Sequence, residues 1–361
     1  MLFQIQPSGQ VRKMQHSSFP QCALFEQQII PSPPPDNNDP SKATLQIRYH
    51  PPPPADLNLK GGAPAEVVAA ANASIDNDML RIPLQPDVDG LERVDVSLHN
   101  SGAAAYRMGE RCDKWFTERF GFPVMLVYLG DGRRKVLGTA ILPAEFRSEA
   151  GGGEKVGEGG GGGWLLSLVG YVAPGVAQGG EEEKDKEKEK EKHWITFADV
   201  APLLVTSESS LREVQTRLPA ETPVGMYKFR PNIVVDGEGE EAWAEDFWGE
   251  LTVTPRKFSG EEEEEEEGGK WRLLLTSNCA RCTSLNVDYA TGKQAAGELG
   301  TVLKKLMSDR RVDPGVKWSP VFGRYAFPGD IGDEAWVSVR VGDEVEVSNR
   351  IAERTVWDWP M

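Results

Sequence analysis

Apolar residues recur at helical spacing in three segments of the 361-residue chain. The first segment begins at Met108, and its apolar side chains follow at i+4, i+7 and i+8, the spacing of one helix face. They are Met108, Cys112, Trp115 and Phe116. Gly121 and Pro123 end this predicted helix, and the pattern makes Cys112 a core residue.

Two further helices are predicted in the second half of the chain. One carries Leu211, Val214 and Leu218 on one face, with Ser210 and Glu213 at the positions of a capping box. The other carries an apolar stripe that consists of Leu299, Val302, Leu303 and Leu306.

Period-two alternation and short apolar runs predict strands elsewhere. Residues 123–129 predict a buried strand, and residues 283–289 alternate as a strand does. Residues 44–48 alternate between two proline-rich segments and predict an edge strand. Residues 335–341 and 344–348 predict a hairpin. Short strands with a few helices favour a mainly β, α+β fold of the β-barrel type over a parallel α/β sheet.

Low-complexity segments divide the chain. They are a proline-rich stretch at about 31–54, glycines followed by alternating Glu and Lys within 150–192, and an acidic run within about 259–269. Such segments cannot bury enough apolar surface to fold, so we expect disordered, solvated insertions. The middle segment predicts a first domain at 1–149, a linker at 150–192 and a second domain at 193–361.

Composition narrows the class of protein. The formal net charge of −16 argues against a nucleic-acid partner, which needs a concentrated basic face. No apolar run is long enough for a membrane span, and no signal peptide opens the chain as given. Four cysteines without a framework spacing are typical of a reducing compartment.

The most informative motif is the C-x-x-C formed by Cys279 and Cys282, with Arg281 between them. A guanidinium stabilises a neighbouring thiolate, which can ligate a metal or attack an electrophile. Zinc needs a second ligand pair, and the other cysteines, Cys22 and Cys112, are isolated. A thioredoxin-like motif would open a helix, whereas a strand pattern follows here. Two alternatives stay open: a single-thiolate metal ligand, or two buried and inert cysteines.

Around this motif, an ordered set of segments resembles the MOSC domain of molybdenum-cofactor sulfurases and amidoxime-reducing molybdenum enzymes. The segments are residues 210–218, 228–237, 278–292, 304–313, 320–323 and 341–347. The resemblance covers about 193–361. Residues 80–84, 94–98 and 106–116 are similar to the smaller β-rich domain that precedes MOSC in those proteins. The resemblance therefore implies a MOSC β-barrel behind a β-rich N-terminal domain.

The resemblance also implies a cofactor site, in which molybdenum is held by a pterin dithiolene and by one protein cysteine. Cys282 stands at that position, as metal ligand and catalytic residue. The implied cofactor-binding residues are Arg281, Arg230, Asn232, Arg217, Thr216 and Gln215. Gln215 replaces an asparagine of the family. Thiolate suits such a soft metal, and guanidinium groups suit the pterin phosphate.

By the same resemblance, we expect a molybdenum-dependent oxidoreductase that reduces N-hydroxylated, amidoxime-type substrates. Its electrons would come from a separate b-type cytochrome and flavin reductase. The alternatives are a non-catalytic cofactor carrier or sulfurase-like module, and a degenerate member. Sulfurases place a pyridoxal-phosphate domain before MOSC, and this chain has no recognisable context for its Schiff-base lysine.

The start of the chain departs from the family pattern. Members open with a Pro-x-Lys-Ser-like strand that supplies anion-binding groups, whereas residues 1–9 resemble a later strand. We therefore expect a part of the site to precede the given sequence or to be lost. The expected location is mitochondrial by resemblance, and otherwise cytoplasmic.

Overall fold

The computed structural model describes residues 1–31, 42–53, 79–143, 194–237, 239–256, 270–329 and 339–360. The predicted linker, the acidic run and residues 32–41 and 54 of the proline-rich stretch lie outside these residues. Within them the protein consists mainly of strands with three helices, and its sheets are near-closed and barrel-like. The predicted fold class is therefore confirmed.

Two antiparallel sheets and one helix build the first half. The strands are β1 (Leu2–Ile5), β2 (Val11–Lys13), β3 (Phe25–Ile30), β4 (Thr44–Tyr49), β5 (Met79–Pro83), β6 (Arg93–Leu98), β7 (Ser101–Arg107), β8 (Val124–Tyr128) and β9 (Arg134–Lys135). One sheet has the order β2-β1-β8-β7-β6, and the other has the order β3-β4-β5. Helix α1 (Glu110–Phe120) packs through Phe116 and Phe120 against Phe25, with ring centroids 5.5 and 4.7 Å away.

The predicted first helix and the core position of Cys112 are both confirmed. Gly121 adopts the left-handed conformation and its N–H donates to the carbonyl of Thr117, which ends α1. Cys112 is buried. Asp113, also buried, accepts hydrogen bonds from the Leu126 N–H at 2.9 Å and from Arg107 Nε at 2.6 Å, and so ties the helix to β8.

A six-stranded sheet dominates the second half. The strands are β10 (Trp194–Ile195), β11 (Leu203–Ser207), β12 (Ile233–Val235), β13 (Trp248–Thr254), β14 (Trp271–Ala280), β15 (Val287–Asp288), β16 (Lys293–Gln294), β17 (Val321–Pro328) and β18 (Glu344–Arg350). The large sheet has the order β12-β11-β17-β14-β13-β18. The second half also contains helix α2 (Glu208–Thr216), which follows β11, and helix α3 (Val302–Leu306), which lies between β16 and β17 in the chain. No helix among the described residues is long and apolar enough to cross a membrane.

The two halves meet at a strand pair and a buried arginine. β9 pairs with β10, so that Lys135 faces Trp194. The guanidinium of Arg134 donates to the carbonyls of Ala198 at 2.6 Å, Leu98 at 2.6 Å, Thr196 at 3.0 Å and Ser101 at 3.3 Å. Burial lowers the pKa of Arg134 to about 10, and the side chain remains a cation at neutral pH.

Several local predictions are wrong. The cap of α2 is Ser207, whose side chain accepts the Ser209 N–H at 3.1 Å, because the helix begins one turn before the predicted capping box at Ser210. The segment at 44–48 is not an edge strand, since β4 lies between β3 and β5. Its flanking prolines stand outside the strand, so they remove no hydrogen-bond donor from it.

Two predictions near the C-terminal end of the chain also need correction. Thr283–Asn286 is a 3₁₀ helix, with a hydrogen bond from the Leu285 N–H to the Cys282 carbonyl, and only Val287–Asp288 is a strand. β18 pairs with β13, and residues 339–341 form no strand; the rest of the predicted strand, residues 335–338, lies outside the described residues. The predicted helix near 299–306 is present as a 3₁₀ turn (Gly297–Thr301) followed by α3.

Candidate functional site

Cys282 stands two residues after the end of β14, where the ladder with β17 finishes. The Arg281 N–H donates to the Pro320 carbonyl at 2.8 Å and so fixes the strand end. Cys282 is extended, with φ −123° and ψ −175°, and its side chain is exposed. Its Sγ lies 3.2 Å from the Oγ of Ser284. The sheet therefore presents this thiol to solvent from a defined position.

Arg281 turns inward, away from this exposed thiol. Its Nη1 donates to the Sγ of Cys279 at 2.9 Å, and its Nη2 donates to the Phe229 carbonyl at 2.6 Å. The guanidinium also lies 5.6 Å from the centre of the Phe229 ring. Both Arg281 and Cys279 are buried. The two terminal nitrogens of Arg281 are thus engaged within the protein.

Arg230 is exposed and follows Phe229 directly. It ends the 3₁₀ helix Met226–Phe229 in the left-handed region, with φ 53° and ψ 45°. In the part of the chain that the structure describes, its guanidinium makes no hydrogen bond or ion pair. A non-glycine residue in this conformation is strained, and Arg230 presents its cation at the surface on the turn that the Phe229 carbonyl ties to Arg281.

The charge of Arg230 acts on side chains from distant parts of the sequence. Burial, followed by the Arg230 charge, lowers the pKa of His16 to about 4, so this imidazole is neutral at pH 7. Burial raises the pKa of Asp199, but a hydrogen bond from His99 at 3.1 Å and the charges of His99, Arg230 and Lys13 outweigh it, and the net shift is downward. Asp199 is therefore an anion near Arg230.

Asn232 lies two residues beyond Arg230 and is exposed. Its Oδ1 accepts the Leu204 N–H at 2.9 Å, and its own N–H donates to the Leu204 carbonyl at 2.9 Å. These bonds continue the parallel β11–β12 pairing by one position. They fix the Arg230–Asn232 turn to the sheet.

The three candidate residues at the end of α2 have partners within the protein. Arg217 forms a two-pronged ion pair with Asp309, at 2.6 and 2.9 Å. The Gln215 side chain accepts the Val224 N–H at 2.9 Å, and the Thr216 hydroxyl donates to the Glu213 carbonyl at 2.7 Å. Among the described residues, no contact joins these three directly to Cys282, Arg281 or Arg230.

Aromatic side chains beside Arg230 were missed by the sequence reasoning. Tyr227, which is 58% exposed, meets Tyr289 edge to face at 5.1 Å, and Tyr289 stacks on His16 at 6.0 Å. The buried Lys228 ammonium donates to the Val287 carbonyl at 2.6 Å and holds the two segments together. Tyr289 lies within the motif segment 278–292 and Tyr227 directly precedes the segment 228–237, so a signal existed nearby for both. His16 and Asp199 come from outside those segments and gave none.

A buried charge cluster supports the large sheet. Asp246 accepts Arg310 Nη2 at 2.7 and 2.8 Å and Arg354 Nε at 2.8 Å. Beside it, Glu245 accepts the hydroxyl of Ser210 at 2.7 Å. Burial raises the pKa of Glu245 to about 7. The sequence pattern did not identify this cluster.

Comparison with known proteins identifies the class. Residues 192–346 match the family model of the MOSC domain, so this part of the chain is a MOSC domain. The order of segments around the exposed Cys282 is what the resemblance implied, and that resemblance is confirmed.

Two named relatives are similar to the chain over about two fifths of its length. The chain is 33% identical over 158 residues to "Mitochondrial amidoxime-reducing component 1" of Homo sapiens, covering 43% of this chain and 39% of that protein. It is 37% identical over 155 residues to "Mitochondrial amidoxime reducing component 2" of Rattus norvegicus, covering 42% of this chain and 38% of that protein. The match thus spans about two fifths of the length of these curated relatives.

Proposed function

We propose that this chain binds a molybdenum cofactor at Cys282 and reduces N-hydroxylated, amidoxime-type substrates with electrons from a separate carrier. The observation that carries the proposal is the pairing of an exposed thiol with a free guanidinium on adjoining turns. The Arg281 Nη2 bond to the Phe229 carbonyl joins these turns at 2.6 Å. The names of the relatives support the substrate class.

The residues present suit the proposed cofactor. A cysteine thiolate is a soft ligand for molybdenum, and Cys282 is the exposed one of the four cysteines. The unpaired Arg230 fork suits a phosphate group. The exposed ring of Tyr227 offers an aromatic face against which a pterin can lie. When bound, the cofactor supplies the two-electron chemistry.

The other candidate residues differ in whether they must give up a contact within the protein in order to bind the cofactor. Asn232 positions the Arg230 turn through Leu204, and Arg281 acts from beneath. Arg217, Gln215 and Thr216 remain predicted ligands, but each must exchange an internal partner for the cofactor. Arg217 would have to leave Asp309, with which it forms two hydrogen bonds.

The carrier and the location are also part of the proposal. By resemblance, the electrons come from a b-type cytochrome and its flavin reductase, and the relatives carry mitochondrial names. A soluble chemical reductant replaces the carrier in a first test, so the chemistry of the site is tested separately from its partner.

The proposal is tested by loading the purified chain with molybdenum cofactor and measuring both bound metal and turnover. We expect about one molybdenum per chain, and reduction of an amidoxime with dithionite-reduced methyl viologen. Cys282→Ser should lose at least 100-fold in turnover and most of its metal, because a neutral hydroxyl is a poor ligand for molybdenum. Cys112→Ala, which removes a core thiol in α1, should retain both.

Each alternative gives a different result in this assay. Metal that is bound without turnover identifies a cofactor carrier instead of an enzyme. Absence of bound metal from the loaded wild-type chain contradicts cofactor binding by the chain as given. Full turnover of Cys282→Ser contradicts the assignment of that cysteine as metal ligand.

A further inference from the structure

Among the described residues, Arg281 is a buried cation that has no carboxylate partner. It is 7% exposed, its two terminal nitrogens bind one sulfur and one carbonyl, and its Nε has no hydrogen-bond partner among the described residues. Burying a guanidinium costs free energy unless its bonds compensate. The cost of burying Arg281 is therefore offset by the segments that its bonds hold together.

The bonds of Arg281 join three separate segments. Its backbone N–H binds the Pro320 carbonyl at 2.8 Å, which fixes the end of β14 to the start of β17. Its Nη2 binds the Phe229 carbonyl at 2.6 Å, and the Phe229 ring stacks on Phe322 of β17 with centroids 3.8 Å apart. The turn that carries Arg230 is thereby held against the sheet.

The exposed Cys282 thiol and the exposed Arg230 guanidinium belong to the residues that directly follow the two partners of this Nη2 bond, Arg281 and Phe229. Cys282 follows Arg281, and Arg230 follows Phe229. Beside the Lys228–Val287 bond, which joins the same two segments, the separation between the thiol and the guanidinium therefore depends on the Nη2 bond between Arg281 and Phe229. If that bond is lost, the two turns are no longer tied to each other at this point.

Cys279 completes the arrangement. Residues i and i+2 of an extended segment face the same side, and Cys279 and Arg281 are both buried, whereas Cys282 is exposed. The Cys279 Sγ accepts the second arm of the guanidinium at 2.9 Å. The two cysteines of the C-x-x-C motif thus have different surroundings, one anchored inside and the other at the surface.

We propose that Arg281 and Cys279 are positioning residues, which set the separation between the Cys282 thiol and the Arg230 guanidinium. Arg281 is then a support beneath the site, not one of its anion-binding groups. The significance of that separation rests on the proposed function, but the separation itself is measurable in the protein without cofactor.

The test compares the alkylation rates of Cys282 by iodoacetate and by iodoacetamide, with the modified peptide identified by mass spectrometry. An anionic reagent is attracted by a nearby guanidinium and a neutral one is not, so the rate ratio reports how close Arg230 lies. One unit charge at roughly 6 Å in water changes the ratio by about threefold. We expect Arg230→Gln to lower the ratio by about that factor.

Arg281→Lys is the decisive variant, because lysine keeps the charge but cannot reach both acceptors with a planar fork. We expect it to lower the ratio by about twofold to threefold, close to the effect of Arg230→Gln. Cys279→Ala should lower it also, and Cys279→Ser should restore part of it because a hydroxyl can accept the bond. Arg134→Lys is the matched control, since it alters another buried guanidinium that binds carbonyls, and it should leave the ratio unchanged.

Hydrogen exchange gives a second measurement on the same proteins. In Arg281→Lys, amides in residues 226–232 and 280–287 should exchange faster together. Loosening of 280–287 alone, or an unchanged rate ratio in Arg281→Lys, overturns the proposal. If the Arg281 variant does not fold, the Cys279→Ala and Cys279→Ser pair decides it alone. A chain that binds no molybdenum contradicts the proposed function and leaves this result standing.

Discussion

Arg230 combines backbone strain with a charge that has no ion-pair partner among the described residues. Relief of its left-handed conformation (φ 53°) by Arg230→Gly should gain about 1 kcal/mol, and the added chain entropy of glycine should cost about as much. We expect the free energy of unfolding in urea to change by less than about 1 kcal/mol, while cofactor retention falls. Arg230→Lys keeps both the charge and the strain and serves as the control. A loss of stability well beyond this range would show that the side chain has a structural role.

Some of the site residues could be identified from the sequence, and others could not. Cys282 and Arg230 belong to short motifs whose residue types suggest their chemistry. The inward orientation of Arg281 was not predictable from the motif, because it depends on the Phe229 carbonyl, about fifty residues away in the chain. Arg217 was singled out on its motif position, and its pairing with Asp309 depends on the placement of α3 and the residues that follow it.

At the scale of elements, the pairing of β11 with β17 depends on a glycine. Gly323 has φ 79°, and a Cβ there would lie 2.7 Å from Thr206 Cγ2 and 2.8 Å from the Val205 carbonyl oxygen. Gly323→Ala should lower the free energy of unfolding by about 2 to 4 kcal/mol through strain and overpacking. Gly102→Ala in β7, where the nearest atom is 3.7 Å away, should change it by less than about 1 kcal/mol. Equal effects of the two substitutions in urea denaturation would contradict this account.

Element prediction succeeded where local signals agreed and failed where distant partners decided. Helix α1 has a periodic apolar face and a glycine stop, so its sequence suffices. At the start of α2, several serines compete for the cap, but Ser210 lies inside the helix, buried, and donates its hydroxyl to Glu245. Leu285 and Val287 alternate with polar residues as in a strand, but they belong to a 3₁₀ helix and to β15. Alternation over so few residues does not distinguish these structures.

At the scale of the whole molecule, Glu245 makes stability depend on pH. Its pKa of about 7 exceeds the ordinary 4.5, so the folded protein binds this proton more tightly between those values. The stabilisation that the protonated Glu245 gives to the folded protein is therefore fully present below pH 4.5 and is lost as the pH rises to about 7. His16 acts in the opposite direction, because its pKa falls from 6.5 to about 4, and it lowers stability as the pH falls through that window.

Glu245→Gln isolates the first effect. As the pH rises from 4.5 to 7, the free energy of unfolding of the wild type should fall relative to that of the variant by up to about 3 kcal/mol. Urea denaturation over this pH range measures it, and His16 cancels because both proteins contain it. A difference that stays constant with pH would contradict the raised pKa. The sequence alone gave no sign of this acid, since its burial arises from packing between β13, α2 and the charge cluster.

The pairing of β9 with β10 has a consequence for the covalent continuity of the chain. Lys135 and Trp194 are direct partners, and Arg134 binds carbonyls on both sides of the join, so the described residues that flank 144–193 are held together at one place. A nick between residues 144 and 193 leaves two fragments that still share this ladder, the Arg134 bonds and the apolar cluster around Ile141 and Ile195. The protein is thus suited to reconstitution from two separately made pieces, with the peptide bond at that position dispensable for holding them together.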